Sequence, residues 1–399
     1  METIKLENVT KKTESSFERG ANPFLSAVMR KIRGSHEMEE REDSPPAGEY
    51  HIASRYAGEP YQLPFISFDT KGCKFDKAGA CTMCNFGRNT KYTEDQTFEA
   101  VESIIKSNQG KPFIEVVASG SLLDDWEVSP EQRGRILKVI ADGKFETVGT
   151  ESRAEFITEE KIKEMRAILG SDVAIEMGVG LETTDPIISK YSINKMFSPE
   201  QYKEAVKILK ENDVEVFSHA LLKPAFLTER EAYQDVMRTI KWAFENGSDS
   251  AGIGMMNLKK GTLNYWLAER GDYRVPWLWT VAKIFRDLSP EQRPMVTAFG
   301  FESGIPIEST AMNCNKCSPD IKRMINQYIE TRNADILDEI DQYQCSCKSE
   351  WEKDMAEESI PLAERLFDIY KKIAEQLTGL GNTSAVDSLI QKSTPSRKE

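Results

Sequence analysis

From Phe65 onward, short apolar and β-branched runs alternate with longer segments whose apolar positions recur every three or four residues. The runs FISFDTKG, FIEVVASG, FETVGTES, VAIEMGVGLE, VEVFSHALL and SAGIGMMNL predict strands, and each is followed by a longer, mostly helix-like stretch. Six βα units in series predict a parallel sheet. The helix starts are marked. Ser129-Pro130-Glu131-Gln132 and Ser198-Pro199-Glu200-Gln201 each place a hydroxyl at the cap, proline at the first helical position and an amide three residues after the cap. Thr228 with Glu231 predicts a further capping box. The helix it opens carries Tyr233, Val236, Ile240 and Phe244 on one stripe and stops near Gly247.

This pattern predicts four regions. Residues 1–52 are charged and read as a helical or partly disordered extension with a Pro/Gly linker at its end. Residues 53–300 carry the βα units, 301–378 are α-rich, and 379–399 read as a polar, mobile tail. The expected architecture is an α/β fold, an incomplete or modified (β/α) barrel of about six parallel units with a C-terminal α-rich subdomain.

Charge and cysteine usage narrow the class. The net charge of −13 argues against a broad basic face for nucleic acid, though a local patch can sit on an acidic chain. The first twenty residues are polar throughout, and no apolar run approaches the roughly 18 residues that span a bilayer. Neither secretion nor membrane insertion is expected. All seven cysteines fall into two groups, Cys73/Cys81/Cys84 and Cys314/Cys317/Cys345/Cys347, rather than being scattered as disulfide partners. That usage points to the reducing cytoplasm.

The first group, in GCKFDKAGACTMCNFG, directly follows the first predicted strand, so it sits at the carboxyl end of that strand, where chemistry collects in parallel barrels. Three thiolates on a glycine-bearing loop suit a soft metal centre. A structural zinc loop would need a fourth Cys or His close by, and the nearest histidine is His51. A cubane iron-sulfur cluster held by three cysteines leaves one iron open to a non-protein ligand.

This loop resembles that of the radical S-adenosylmethionine superfamily. Its C-x7-C-x2-C spacing departs from the commonest C-x3-C-x2-C form and is similar to the branch containing the Elongator catalytic subunit and, more closely, the radical enzyme group of archaeosine synthesis. ASGSLLDDWEV (118–128), ESRAEFI (151–157), GLETTDP (180–186), LLKPAFLTEREA (221–232) and YRVPWLWTV (273–281) carry the same resemblance in order. The resemblance implies a 4Fe-4S cluster on Cys73, Cys81 and Cys84, with S-adenosylmethionine chelated at the open iron and an electron arriving from a ferredoxin or flavodoxin.

The residues around the predicted mouth fit that implication. Ser119, Gly120 and Ser121 offer close backbone approach and hydroxyls to an amino-acid moiety. Glu151, Arg153 and Glu182 end strands where they would hold ribose hydroxyls or a carboxylate; rim ion pairs are the alternative for each. Lys223 is expected to contact substrate, together with Glu182, or else to be an exposed strand-end lysine. His219 reads as a hydrogen-bonded core residue, and Pro276 to Trp279 as packing.

The second group supplies four thiolates, the number of a closed tetrahedral site. Structural zinc is expected there, with an auxiliary iron-sulfur cluster as its rival. The resemblance implies a lyase-type or rearrangement reaction, the conversion of a lysine-modified 7-deazaguanine in transfer RNA to archaeosine by carbon-nitrogen cleavage. A radical enzyme acting on a small molecule such as a nucleoside or amino-acid derivative is the alternative, since no basic stripe is evident.

Overall fold

The computed structural model describes residues 20–35, 45–53, 62–87, 90–300, 308–377 and 384–395. Eight strands form one sheet in sequence order: β1 (Ala47–Ala53), β2 (Gln62–Phe68), β3 (Phe113–Ala118), β4 (Thr147–Ser152), β5 (Ala174–Glu182), β6 (Val214–Leu222), β7 (Ser250–Met255) and β8 (Val296–Phe299). β1 runs antiparallel to β2, and every later pair is parallel. The linear order leaves β1 and β8 as edges, so the sheet is an open, partial barrel.

The six predicted strands are β2 to β7. β1 lies in the stretch read as a linker, where AGEYHIA pairs along the whole of β2 and Tyr50 packs 6.4 Å from Phe65. β8 is only four residues long, too short to show a period. The predicted caps form at Ser198 and Thr228 as full capping boxes. At Ser129 the hydroxyl caps Gln132, but the Gln132 amide turns instead to the Glu94 carbonyl.

The terminal regions join the barrel core. Within the predicted charged extension, Pro23–Ser35 is a helix whose Phe24, Leu25, Val28, Met29 and Ile32 are fully buried. They share one core with β6 to β8 and the C-terminal helices, and Phe24 stacks on Tyr370 at 4.5 Å. Most of the acidic segment EMEEREDSPP lies outside the described residues. Within the predicted mobile tail, Ser384–Lys392 is a helix that buries Val386 and Ile390, and Asn22 donates to the Ser393 carbonyl. Two apolar side chains one turn apart are enough to dock this helix, although its composition is polar.

The α-rich region is present as helices Ser318–Thr331, Asp335–Gln342, Lys348–Ala356 and Leu362–Gln376. It packs directly on the barrel, with Phe285 4.9 Å from Tyr328. No described helix is long and apolar enough to cross a membrane.

Candidate metal centres and barrel mouth

Backbone strain concentrates at the carboxyl ends of the strands. Among the described residues nine non-glycine positions have positive φ, and six of them, Cys81, Glu182, Asn194, Met196, Lys223 and Phe226, follow β2, β5 or β6. Such conformations cost energy and persist where the surroundings impose them, often at functional sites. Cys81 and Asn194 belong to the cysteine loop and its support, while Lys223 and Phe226 lie at the junction with the C-terminal helices. The single π-helical turn Ser189–Ile193 leads into left-handed Asn194, and the carbonyls of Ile193 and Asn194 accept the N–H groups of Thr82 and Cys81 at 2.9 and 3.1 Å.

The loop itself starts at Cys73, whose N–H donates to the Phe86 carbonyl at 2.8 Å, so both ends of the loop are tied together. Cys81 is buried, and Cys73 and Cys84 are half-buried. Burial pushes the Cys73 thiol up to about 12, and it raises Cys81 and Cys84 as well. Thiols so placed stay protonated until a metal displaces the proton. Arg153 reaches this group, with Nη1 3.7 Å from the Cys81 sulfur and its guanidinium 3.7 Å above the Phe75 ring. It is fixed by Glu155 and by the Lys195 carbonyl, both within 2.8 Å.

Beside the loop, the N–H groups of Gly120 and Ser121 point at one carboxylate. Glu127 accepts them at 2.7 and 3.1 Å, and accepts the Thr70 hydroxyl at 2.8 Å. Ser119 donates to the Phe68 carbonyl, and the Ser121 hydroxyl accepts the Arg153 N–H. The Ser119–Ser121 segment is therefore a rigid turn built around a buried acid. Burial raises the Glu127 pKa, against the three hydrogen bonds that favour its charge. Sequence reasoning missed Glu127. Its only signal was an acidic residue six to eight positions after the serine-glycine-serine turn.

A bulge in the β5–β6 ladder between Gly180 and Glu182 swings Glu182 toward the loop, where it pairs with Lys195 at 2.7 Å. Lys195 also donates to the Gly180 carbonyl. Glu151 sits deeper on the inner sheet face, 3.4 Å from His219 Nε2. His219 packs between Phe217 and Phe299, at 4.9 and 5.3 Å. A Cβ on Gly178 would come within 2.9 Å of both Glu151 and His219, so glycine keeps this part of the lumen open. Glu151, Arg153 and Glu182 are thus each engaged in an ion pair, with His219, Glu155 and Lys195.

Lys223 is placed elsewhere. Its ammonium is buried and pairs with Glu229 at 2.7 Å, and Glu229 also accepts the Trp277 N–H and the Thr280 hydroxyl. The lysine faces the junction with the C-terminal helices, beside a groove of about 280 Å³ that Arg274, Arg365 and Lys372 also line. Left-handed backbone at Lys223 turns the side chain off the strand direction, which the sequence could not indicate. Trp277 and Trp279 of PWLW are buried packing residues, and Trp277 Nε1 donates to Asp354 at 2.7 Å.

The four C-terminal cysteines converge. Neighbouring sulfurs stand 3.5 to 3.6 Å apart, and all four lie within 4.8 Å of one another. Zinc-sulfur bonds of about 2.3 Å in a tetrahedron put sulfurs roughly 3.8 Å apart, so the spacing is that of one ion. Thiolates on four irons of a cubane would be splayed much wider. Among the described residues only this group closes so tightly. Burial opposes ionisation of Cys314, but the N–H groups of Cys317 and Lys316 outweigh it and leave that thiol near 6, while Cys317 and Cys347 are raised.

No family model matches the chain. It is 30% identical over 335 residues to archaeosine synthase subunit beta of Methanosarcina acetivorans, across 82% of this chain and 95% of that protein. A second relative, archaeosine synthase subunit beta of Thermococcus kodakarensis, is 30% identical over 308 residues, across 74% of this chain and 92% of that one. Among solved structures, the archaeal Elp3 of Methanocaldococcus infernus aligns with a TM-score of 0.43 at 15% identity, over 59% of this chain and 58% of that chain. With nearly the full length of two such relatives spanned at this identity, the chain belongs to the archaeosine synthase subunit beta family.

Proposed function

We propose that this protein is the radical subunit of a transfer RNA-modifying enzyme, converting a lysine-modified 7-deazaguanine to archaeosine by carbon-nitrogen cleavage. The observation that carries the reading is the kinship that spans nearly the whole of two beta subunits, joined to a loop that brings three cysteines to the barrel mouth. Bound at that loop, a 4Fe-4S cluster and S-adenosylmethionine would supply a 5′-deoxyadenosyl radical for hydrogen abstraction. The chain supplies the placement. Cys73, Cys81 and Cys84 would hold the cluster, and Arg153, 3.7 Å from the Cys81 sulfur, would place a positive charge beside it. Glu182, oriented by Lys195, would meet ribose hydroxyls, and Ser119–Ser121 the amino-acid end through their carbonyls and hydroxyls, the Gly120 and Ser121 N–H groups being held by Glu127.

The name "subunit beta" supports a partner subunit, and that subunit would supply the phosphate contacts that this acidic chain lacks as a broad face. Zinc is the proposed ion at the C-terminal cysteines, and a ferredoxin or flavodoxin the proposed donor. Anaerobically reconstituted protein should form 5′-deoxyadenosine and, together with the partner subunit, convert lysine-modified transfer RNA, with the affinity of the pair falling steeply as salt rises. Salt-insensitive turnover of a free nucleoside, with no RNA binding by the pair at low salt, would make the small-molecule enzyme the better account.

A further inference from the structure

The three-cysteine loop is gripped by a side chain of the N-terminal helix. Arg33, near the end of helix Pro23–Ser35, directs Nη2 at the carbonyls of Ala80, Cys81 and Cys84, at 3.1, 3.2 and 2.9 Å. Its Nη1 donates to the Asp76 carbonyl, and the guanidinium pairs with the Asp76 carboxylate. That carboxylate accepts the Gly87 N–H in turn. One cation therefore touches backbone from Asp76 to Cys84, and through Asp76 reaches the far end of the loop.

We propose that Arg33 is a positioning residue for Cys73, Cys81 and Cys84, acting through Asp76; this rests on the reading of the loop as a cluster site. The loop carries Gly72, Gly79 and Gly87 and little regular structure beyond the single turn Lys74–Lys77, so holding three thiolates in place demands an external tie. A planar guanidinium can serve several carbonyls at once, and a lysine ammonium cannot reproduce that fork. The helix is built against the loop. A Cβ on Gly79 would stand 2.6 Å from the Ser26 carbonyl, and Arg30 Nη1 donates to the Ala78 carbonyl at 2.8 Å. Electrostatics add a second consequence. Asp76 is buried and sets a negative charge against the loop, and the Arg33 guanidinium paired with it balances that charge.

The test compares R33M, R33K and D76N in the full chain after anaerobic reconstitution, with circular dichroism as the check on folding. The readouts are the rate of iron loss to a ferrous chelator and the midpoint potential of the cluster. R33M should lose iron several-fold faster than the wild type and shift the potential downward, because a positive charge near the cluster is gone. R33K should keep the potential and lose iron at an intermediate rate; if R33M does not fold, R33K against the wild type carries the comparison. D76N should shift the potential upward while also speeding iron loss, an opposite pair of shifts that a purely structural role would not produce. Wild-type iron retention and potential in R33M or, failing that, wild-type retention in R33K overturn the clamp and leave the radical reading standing. A wild-type chain that takes up no iron at the three cysteines overturns both.

Discussion

The two cysteine groups use the same ligand in opposite surroundings. Cys314, Cys317, Cys345 and Cys347 close on a point, with sulfurs 3.5 to 3.6 Å apart and Cys314 already low in pKa. Cys73, Cys81 and Cys84 do not converge on one ion, and burial raises all three thiols. The four-thiolate group has no ligand position left for chemistry. The three-thiolate group would leave one on a cluster, and left-handed Cys81 and the Arg153 guanidinium lie there. Closure by a fourth ligand separates a site that holds structure from one that handles substrate.

The hardest blow to that contrast is removal of the mouth cysteines. A C73A/C81A/C84A variant should lose the mouth iron and all cleavage of S-adenosylmethionine, yet keep the C-terminal ion, as read by metal analysis and 5′-deoxyadenosine formation. A variant that still cleaves would mean the two groups have exchanged roles.

C317S attacks the other side. Metal analysis of the wild type should find about one zinc per chain beside the iron, and C317S should lose it. Structural zinc contributes up to about 10 kcal/mol or more to its fold, so the C-terminal helices should loosen in hydrogen exchange, while protein that stays folded keeps its intrinsic activity. A second cubane's worth of iron, lost with Cys317, would overturn the single-ion assignment.

Lys223 and Glu229 connect the regions, because Glu229 also holds Trp277 and Thr280, and Thr280 accepts Trp351 Nε1 beside the C-terminal cysteines. Breaking a buried pair by removing one partner costs about 3–5 kcal/mol. E229Q should therefore lower the melting temperature sharply, and K223M with E229Q, which removes both charges and keeps an acceptor for Trp277 and Thr280, should recover much of it. If K223M leaves stability intact and abolishes turnover, the lysine belongs to the chemistry after all.

The smallest effect concerns Glu127. Its folded pKa is raised by burial, so its contribution to stability is greatest below the unfolded carboxylate range and declines as pH rises through the folded value. E127Q should flatten that slope and, by removing one acceptor from the Gly120 and Ser121 N–H groups, cost about 1–3 kcal/mol at low pH. An unchanged pH profile of unfolding would mean the carboxylate is not the tie it is drawn as.

Legibility followed the range of each interaction. Strands β2 to β7 and their capped helices were visible because period and capping are local, and the cysteine spacing marked both metal groups. The roles of Lys223, Glu127 and Arg33 were hidden for a shared reason. Each depends on a partner or a backbone angle that sequence neighbours do not set: left-handed φ at Lys223, a turn folding back on Glu127, and a helix docking far from the loop it grips.

By itself the sequence determined the element order, the parallel sheet and two thiolate groups of different valence, because hydrophobic period and ligand count are written residue by residue. Only the tertiary structure decided that helices Pro23–Ser35 and Ser384–Lys392 complete one core, that Glu182 turns to Lys195 while Lys223 turns away, and that four sulfurs close to within 4.8 Å of one another while three stay apart. Those outcomes are set by which surfaces meet when apolar area is buried, and that choice is made by the whole chain at once.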